Sequence, residues 1–334
     1  MTFEELILKS LRKVYRRTFK KLDTNKEIDD KGQGTQFLDY VELYNQEAND
    51  YVRELLTKGK PCMVSKFGTI ELNALVDYII YNEEKHCFKE IISFIKGEIP
   101  TVNWLDKGSM NALCSNAGFF PNDVSLLQQY FEINYKALKG IDVLGSYIKQ
   151  EIFFKDELSK AKKVNLDGFY APYYWKNPWT KILEGKKVLV VHPFAEDIES
   201  QYRNHRTQIW QDPYVLPEFE LITYKSVQSM LGLKTPYKTW FDALKKMEDD
   251  ISKIDFDIAL IGCGAYGMPL AAYVKSMGKQ AIHLAGWAQV LFGIIGTRWE
   301  NNPRVSKMMN EYWIHPSKNN IPVEAKKIEN GAYW

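Results

Sequence analysis

Cysteine and histidine are scarce in this chain. Cys62, Cys87, Cys114 and Cys263 stand far apart in 334 residues, and there are five histidines. None of the cysteines has the short spacing of a zinc ligand set, so a zinc-built fold is excluded. The four thiols read as reduced groups of a cytoplasmic protein. Charge of one sign is lacking too: 44 Lys+Arg against 42 Asp+Glu leave a formal net charge of +2. No basic field of the kind that holds nucleic acid is implied. No apolar run reaches the ~18 residues of a membrane span, and the N-terminus has no uninterrupted signal-peptide core. A cytoplasmic location follows as the expectation. There is no internal repeat and no low-complexity segment.

What is present is an ordinary globular balance, 45% hydrophobic and 26% charged, with Tyr 20, Phe 17 and Trp 9. Residues 1–35 separate from the rest. Over the first 23, Phe3, Leu6, Ile7, Leu11, Val14, Tyr15, Phe19 and Leu22 form one helical stripe, while Lys9, Arg12, Lys13, Arg16, Arg17, Lys20 and Lys21 cover the opposite face. Such a basic amphipathic helix suits an anionic membrane surface at its inner face. Packing on its own domain or on a second subunit is the alternative. Asp23 to Gly34 is polar and glycine-bearing, a linker.

Residues 36–334 alternate strand and helix signals, with halves at about 36–183 and 184–334 divided by the aromatic and proline-rich stretch Tyr170 to Trp179. A helix is expected from Phe37 to about Lys58 and a strand over Pro61 to Phe67. Further strands are expected over Ile141 to Leu144, Lys163 to Leu166, Lys186 to Val191 and Phe219 to Thr223. Cys114 to Pro121 reads as a loop before a helix capped near Asp123. Helices are expected over Tyr237 to Ile254 and around Val305 to Tyr312.

The most organised stretch is Ile258 to Gly293. An apolar strand runs into Gly262, Gly264 and Gly267, a helix follows to Gly278, and Ala281, Ile282 and Leu284 make a second strand. This is a βαβ crossover whose turn, with Ala265 and Tyr266 inside it, offers a phosphate close backbone approach and a helix N-terminus. Where a ribose-binding acid would stand at the end of the second strand there is His283, which argues against a conventional NAD site. The fold class expected is therefore α/β, a mostly parallel Rossmann-like sheet flanked by helices, with the amphipathic helix at the N-terminus.

Two segments together resemble the bacterial GT-D type glycosyltransferases: Phe67-Gly68-x-x-Glu71 after an early strand, and Gly262-x-Gly264-x-x-Gly267 after a late one. In that family the early segment reads Arg-Phe-Gly-Asp-Gly-Glu, and its acidic pair is linked to a divalent metal and the diphosphate of a sugar nucleotide. Here Gly68 and Glu71 match, Lys66 stands for the arginine and Thr69 for the aspartate. The resemblance implies a nucleotide-sugar donor and a glycan or lipid-linked acceptor in surface polysaccharide or glycoprotein glycan synthesis. It implies Mn²⁺ or Mg²⁺ only weakly, because Glu71 alone is a poor cation site. Lys66, Arg206, Arg298 and the glycine turn are the candidates for diphosphate charge. Glu71 is the candidate base or metal contact, with Asp142 and Asp167 as fallback bases. The rival readings are a nucleotide-dependent oxidoreductase or methyltransferase, and a non-catalytic partner in a polysaccharide assembly complex.

Overall fold

A computed structural model of the protein describes residues 3–18, 40–82, 88–97, 107–323, 325–327 and 331–334. The linker from Asp23 to Gly34 and the helix start at Phe37 lie outside the described residues.

Seven short strands carry the fold: β1 (Cys62–Ser65), β2 (Val143–Ser146), β3 (Lys162–Asn165), β4 (Lys187–His192), β5 (Glu220–Lys225), β6 (Ile258–Ile261) and β7 (Gln280–His283). They form one sheet in the order β3-β2-β1-β7-β6-β4-β5. Every pairing is parallel. The four residues of β1, β2, β6 and β7 are all buried, so these strands show no alternation of buried and exposed faces, and β6 reads as a continuous apolar run. Val64 lies opposite Val143 on one side and Ile282 on the other, so β1 and β7 join the two halves into a single sheet.

The helices are α1 (Phe3–Thr18), α2 (Asn45–Thr57), α3 (Thr69–Asn82), α4 (Phe88–Lys96), α5 (Lys107–Ala117), α6 (Leu127–Leu138), α7 (Leu166–Tyr170), α8 (Ala195–Ile209), α9 (Trp240–Ile251), α10 (Gly267–Ser276) and α11 (Trp287–Leu291), followed by single turns. Alternate strand residues feed two cores. Met63, Leu144, Leu189 and Ala259 meet α3, α5, α6, α9 and α10 on one face. Val64, Val143, Val190 and Leu260 meet α2, α7, α8 and α11 on the other. The sheet is thus sandwiched between helical layers, as in Rossmann-like proteins.

Local chemistry explains most boundaries. Thr239 and Asp242 form a reciprocal capping box that starts α9, with Thr239 N donating to Asp242 Oδ2 at 2.9 Å and Asp242 N donating to Thr239 Oγ1 at 3.1 Å. Asp123 accepts from Ser125 N at 2.9 Å ahead of α6, so the expected cap stands. Gly278 ends α10 with φ 82°, a conformation glycine adopts without steric cost. Three expectations change. Cys114 to Ala117 is the last turn of α5 and not a loop, and the helix expected around Val305 to Tyr312 shrinks to the single turn Pro303–Ser306. The helix expected from Phe37 begins only at Asn45: Leu43 bridges to Val164, and Tyr44 is extended.

Candidate functional site

The strand order decides where a crevice opens. β1 and β6 lead into α3 and α10 on the first face, whereas β7 and β4 lead into α11 and α8 on the second. Across the neighbours β1, β7, β6 and β4 the exits therefore alternate sides, and the carboxyl edge is left open between them. A cleft occupies this edge. From β1 it takes Lys66, Gly68, Thr69 and Glu71, from β2 Tyr147, and from β4 His192. The β5 exit adds Ser226 and Gln228, and β6 adds Gly262, Gly264 and Tyr266. His283 and Gln289 come from the β7 side, and Arg298 and Tyr333 from the C-terminal turns. Its water-accessible space is about 190 Å³.

Lys66 is the cation nearest the start of α3. Its Nζ donates to Tyr147 Oη at 3.3 Å, and Tyr147 Oη donates to Phe67 O at 2.9 Å. Burial works to lower the lysine pKa, but the Tyr147 oxygen and the Glu71 carboxylate outweigh it and raise it above the usual range. Glu71 is the third residue of α3, and its carboxylate folds back against the Cα of Gly68, where a side chain would collide with it. That position is favoured by the positive end of the helix dipole. Burial raises the Glu71 pKa; its own backbone amide and Lys66 reduce the effect without cancelling it. Beneath Tyr147, Glu151 is buried, accepting from Tyr147 N at 3.0 Å and Ile148 N at 3.1 Å and bonded to Ser146 Oγ. Burial pushes its carboxyl up to about 7.

The glycine turn opposes these groups. Gly264 has φ 57° and an added Cβ would lie 3.0 Å from Ala117 O, so both conformation and space call for glycine. Gly267, the first residue of α10, faces the ring of His283, which occupies the space a side chain would need. His283 Nδ1 shares a 3.1 Å hydrogen bond with Ser65 Oγ, while its Nε2 is buried without a partner. Burial, with Lys66 adding to it, lowers its pKa to about 3, so the ring is neutral. His192 is likewise neutral, lowered to about 3 by burial. Its Nδ1 accepts from Phe194 N at 3.0 Å, which leaves the ring proton on Nε2. Tyr266 turns inward, stacked on Trp240 at 5.0 Å and bonded to Ser229 Oγ at 3.2 Å.

Of the residues singled out from sequence, Lys66, Gly68, Thr69, Glu71, Gly262, Gly264, Tyr266, His283 and Arg298 line one cleft. Gly267 touches it through His283. Ala265 is buried behind the turn. Arg206 is not among the lining residues: on α8 it pairs with Glu218 at 3.4 Å. Asp142 sits at the amino edge of the sheet, accepting from Met63 N and pairing with Lys275 at 2.7 Å, far from any carboxyl-edge chemistry. Asp167 is held by Arg304 at 2.6 Å and by Tyr170 Oη at 2.6 Å, outside the lining. Sequence reasoning passed over Tyr147, Ser226, Gln228, Gln289 and Tyr333. His192, at the end of the clearest strand, was legible by the same carboxyl-end logic that selected Lys66.

Glu71 is the only acidic side chain among the described residues that line the cleft, beside a lysine. That set does not fit a divalent cation, which seeks several oxygen ligands. Among the described residues no group of three or more His, Cys, Asp or Glu side chains converges. Fold and site together define an all-parallel, Rossmann-like α/β protein with a carboxyl-edge cleft that is basic, glycine-lined and histidine-floored. No family model, curated protein or solved structure matches the chain.

Proposed function

We propose that the cleft binds the diphosphate of a nucleotide sugar and transfers the sugar to a glycan or lipid-linked hydroxyl, as the GT-D resemblance implies. The observation that carries this reading is the meeting of Lys66, Glu71 and the Gly262–Gly267 turn, some two hundred residues apart in sequence, in a single cleft. Lys66 and Arg298 supply positive charge for the departing diphosphate, and the N-terminus of α10 supplies backbone N–H groups. No step is assigned to a metal ion, since Glu71 alone does not build a cation site. Glu71 takes the proton of the acceptor hydroxyl as its oxygen bonds to the anomeric carbon. The bond from that carbon to the diphosphate oxygen breaks, releasing a nucleoside diphosphate. A raised carboxyl pKa suits a base working near neutrality.

The cleft space is below the ~300 Å³ at which pockets enclose drug-sized ligands. It accommodates the phosphate and sugar portion, leaving the base at the rim. The absence of an acid beside His283 speaks against the oxidoreductase and methyltransferase readings. The test is binding and turnover of UDP-, GDP-, dTDP- and CMP-sugars, with and without Mn²⁺. Release of nucleoside diphosphate from a UDP-, GDP- or dTDP-sugar is expected, and not from the CMP-sugars, which carry a single phosphate. Binding without turnover points to a non-catalytic partner, and no binding to any of them sinks the proposal.

A further inference from the structure

We propose that α1 is an interfacial helix that lays an apolar stripe onto an anionic lipid bilayer. Its sequence holds five basic residues against two acidic ones, with both acids in the first turn. Among the described residues the helix docks on α4: Leu8 packs against the core, and the Arg12 guanidinium sits 4.6 Å over the Phe94 ring. One position round the helix, Ile7, Leu11 and Val14 recur at the spacing of four and three that aligns them on one stripe. They are exposed at 44%, 46% and 60%, and Leu6 beside them at 51%. Elsewhere in the described chain, amphipathic helices turn their apolar stripes inward; α9 buries Trp240, Ala243, Leu244, Met247 and Ile251.

Away from that stripe, Lys13, Arg16 and Arg17 are exposed. An exposed apolar stripe with cations on the other face matches the two halves of an anionic bilayer surface, acyl boundary and headgroup charge. Charge complementarity therefore favours lipid over a second copy of the chain, which would oppose its own cations. Among the described residues no helix is long and apolar enough to cross a membrane, so α1 would lie on the surface and not span it. This inference is independent of the chemistry assigned to the cleft.

The experiment is flotation of the full-length protein with vesicles of phosphatidylglycerol and phosphatidylcholine, and with phosphatidylcholine alone, at low and high salt. Flotation is expected with the anionic vesicles only and should weaken as salt rises. In a Lys13→Gln/Arg16→Gln/Arg17→Gln variant, partitioning should fall about fivefold per cation removed. An Ile7→Ser/Leu11→Ser/Val14→Ser variant should lose flotation while keeping its melting temperature, because these side chains leave the core untouched. The proposal is overturned if the wild type stays in the buffer with anionic vesicles, or if the serine variant floats as well as the wild type. It is equally overturned if the wild type is a dimer that the serine variant converts to monomer, with neither form binding vesicles.

Discussion

Glu71 and Lys66 are coupled through burial. Each has its pKa raised, and Lys66 is one of the groups that holds the Glu71 pKa down. If Glu71 is the base, only its ionised form works, so turnover should rise with pH through a range above that of an ordinary glutamate. Replacing Lys66 by Ala removes a stabilising charge, and the acid limb of the turnover profile should move to higher pH while donor affinity weakens. Titrating kcat for both proteins checks this; an acid limb that does not move would detach Lys66 from the carboxylate. Glu71→Gln should lower turnover about a hundredfold, the usual scale for a lost acid–base partner, with the melting temperature little changed. Wild-type turnover in a folded Glu71→Gln protein would remove the assignment.

At the scale of elements, the βαβ unit from β6 through α10 to β7 depends on glycines for different reasons. Gly264 carries positive φ, and a Gly264→Ala protein should be less stable by about 1–2 kcal/mol from backbone strain alone. Denaturant midpoints compared at constant slope measure that cost. At Gly267 the limit is packing, since a methyl group there meets the His283 ring. Most elements of this kind were readable beforehand: the strand into the glycine turn, the cap at Asp123 and the positive φ at Gly278 are local consequences of residue type. The last turn of α5 was not. Cys114-Ser115-Asn116-Ala117 has a loop-like composition, but Leu113 and Ala117 are buried against the first core, and tertiary burial overrides weak local preference.

For the whole molecule, buried titratable groups set opposing pH dependences. His192 and His283 are lowered from the usual 6.5 to about 3, so the unfolded chain binds their protons first as pH falls. Their contribution to stability is present above pH 6.5 and is lost on acidification. Glu151 is raised from 4.5 to about 7, so the folded protein holds that proton longer, and its contribution is lost as pH rises through that window. Between about pH 4.5 and 6.5 the two histidines act against Glu151 and against Glu71, whose pKa is raised as well. Glu151→Gln removes one of the opposing protons, and stability should fall on acidification more steeply than in the wild type by about 1.4 kcal/mol per pH unit. Denaturant unfolding at stepped pH is the measurement, and an unchanged slope in the variant would mean that Glu151 is ionised in the fold.

Residue order alone determined the α/β class, the parallel strands and the two glycine-ended segments. These follow from buried apolar runs, caps and turns that depend on near neighbours. It also marked α1 as amphipathic, since helical period places its cations and apolar residues. Only the tertiary structure decided which polar groups meet. Arg206, Asp142 and Asp167 had the right chemistry on paper, yet α8 turns Arg206 to Glu218, strand direction puts Asp142 at the amino edge, and Arg304 holds Asp167. Tyr147, His192 and Gln289 enter the cleft because the order β3-β2-β1-β7-β6-β4-β5 brings β1, β7, β6 and β4 side by side with exits on alternating faces. Strand order is set by long-range pairing, which no local pattern encodes. The cleft exists where that pairing changes the side on which the chain leaves the sheet.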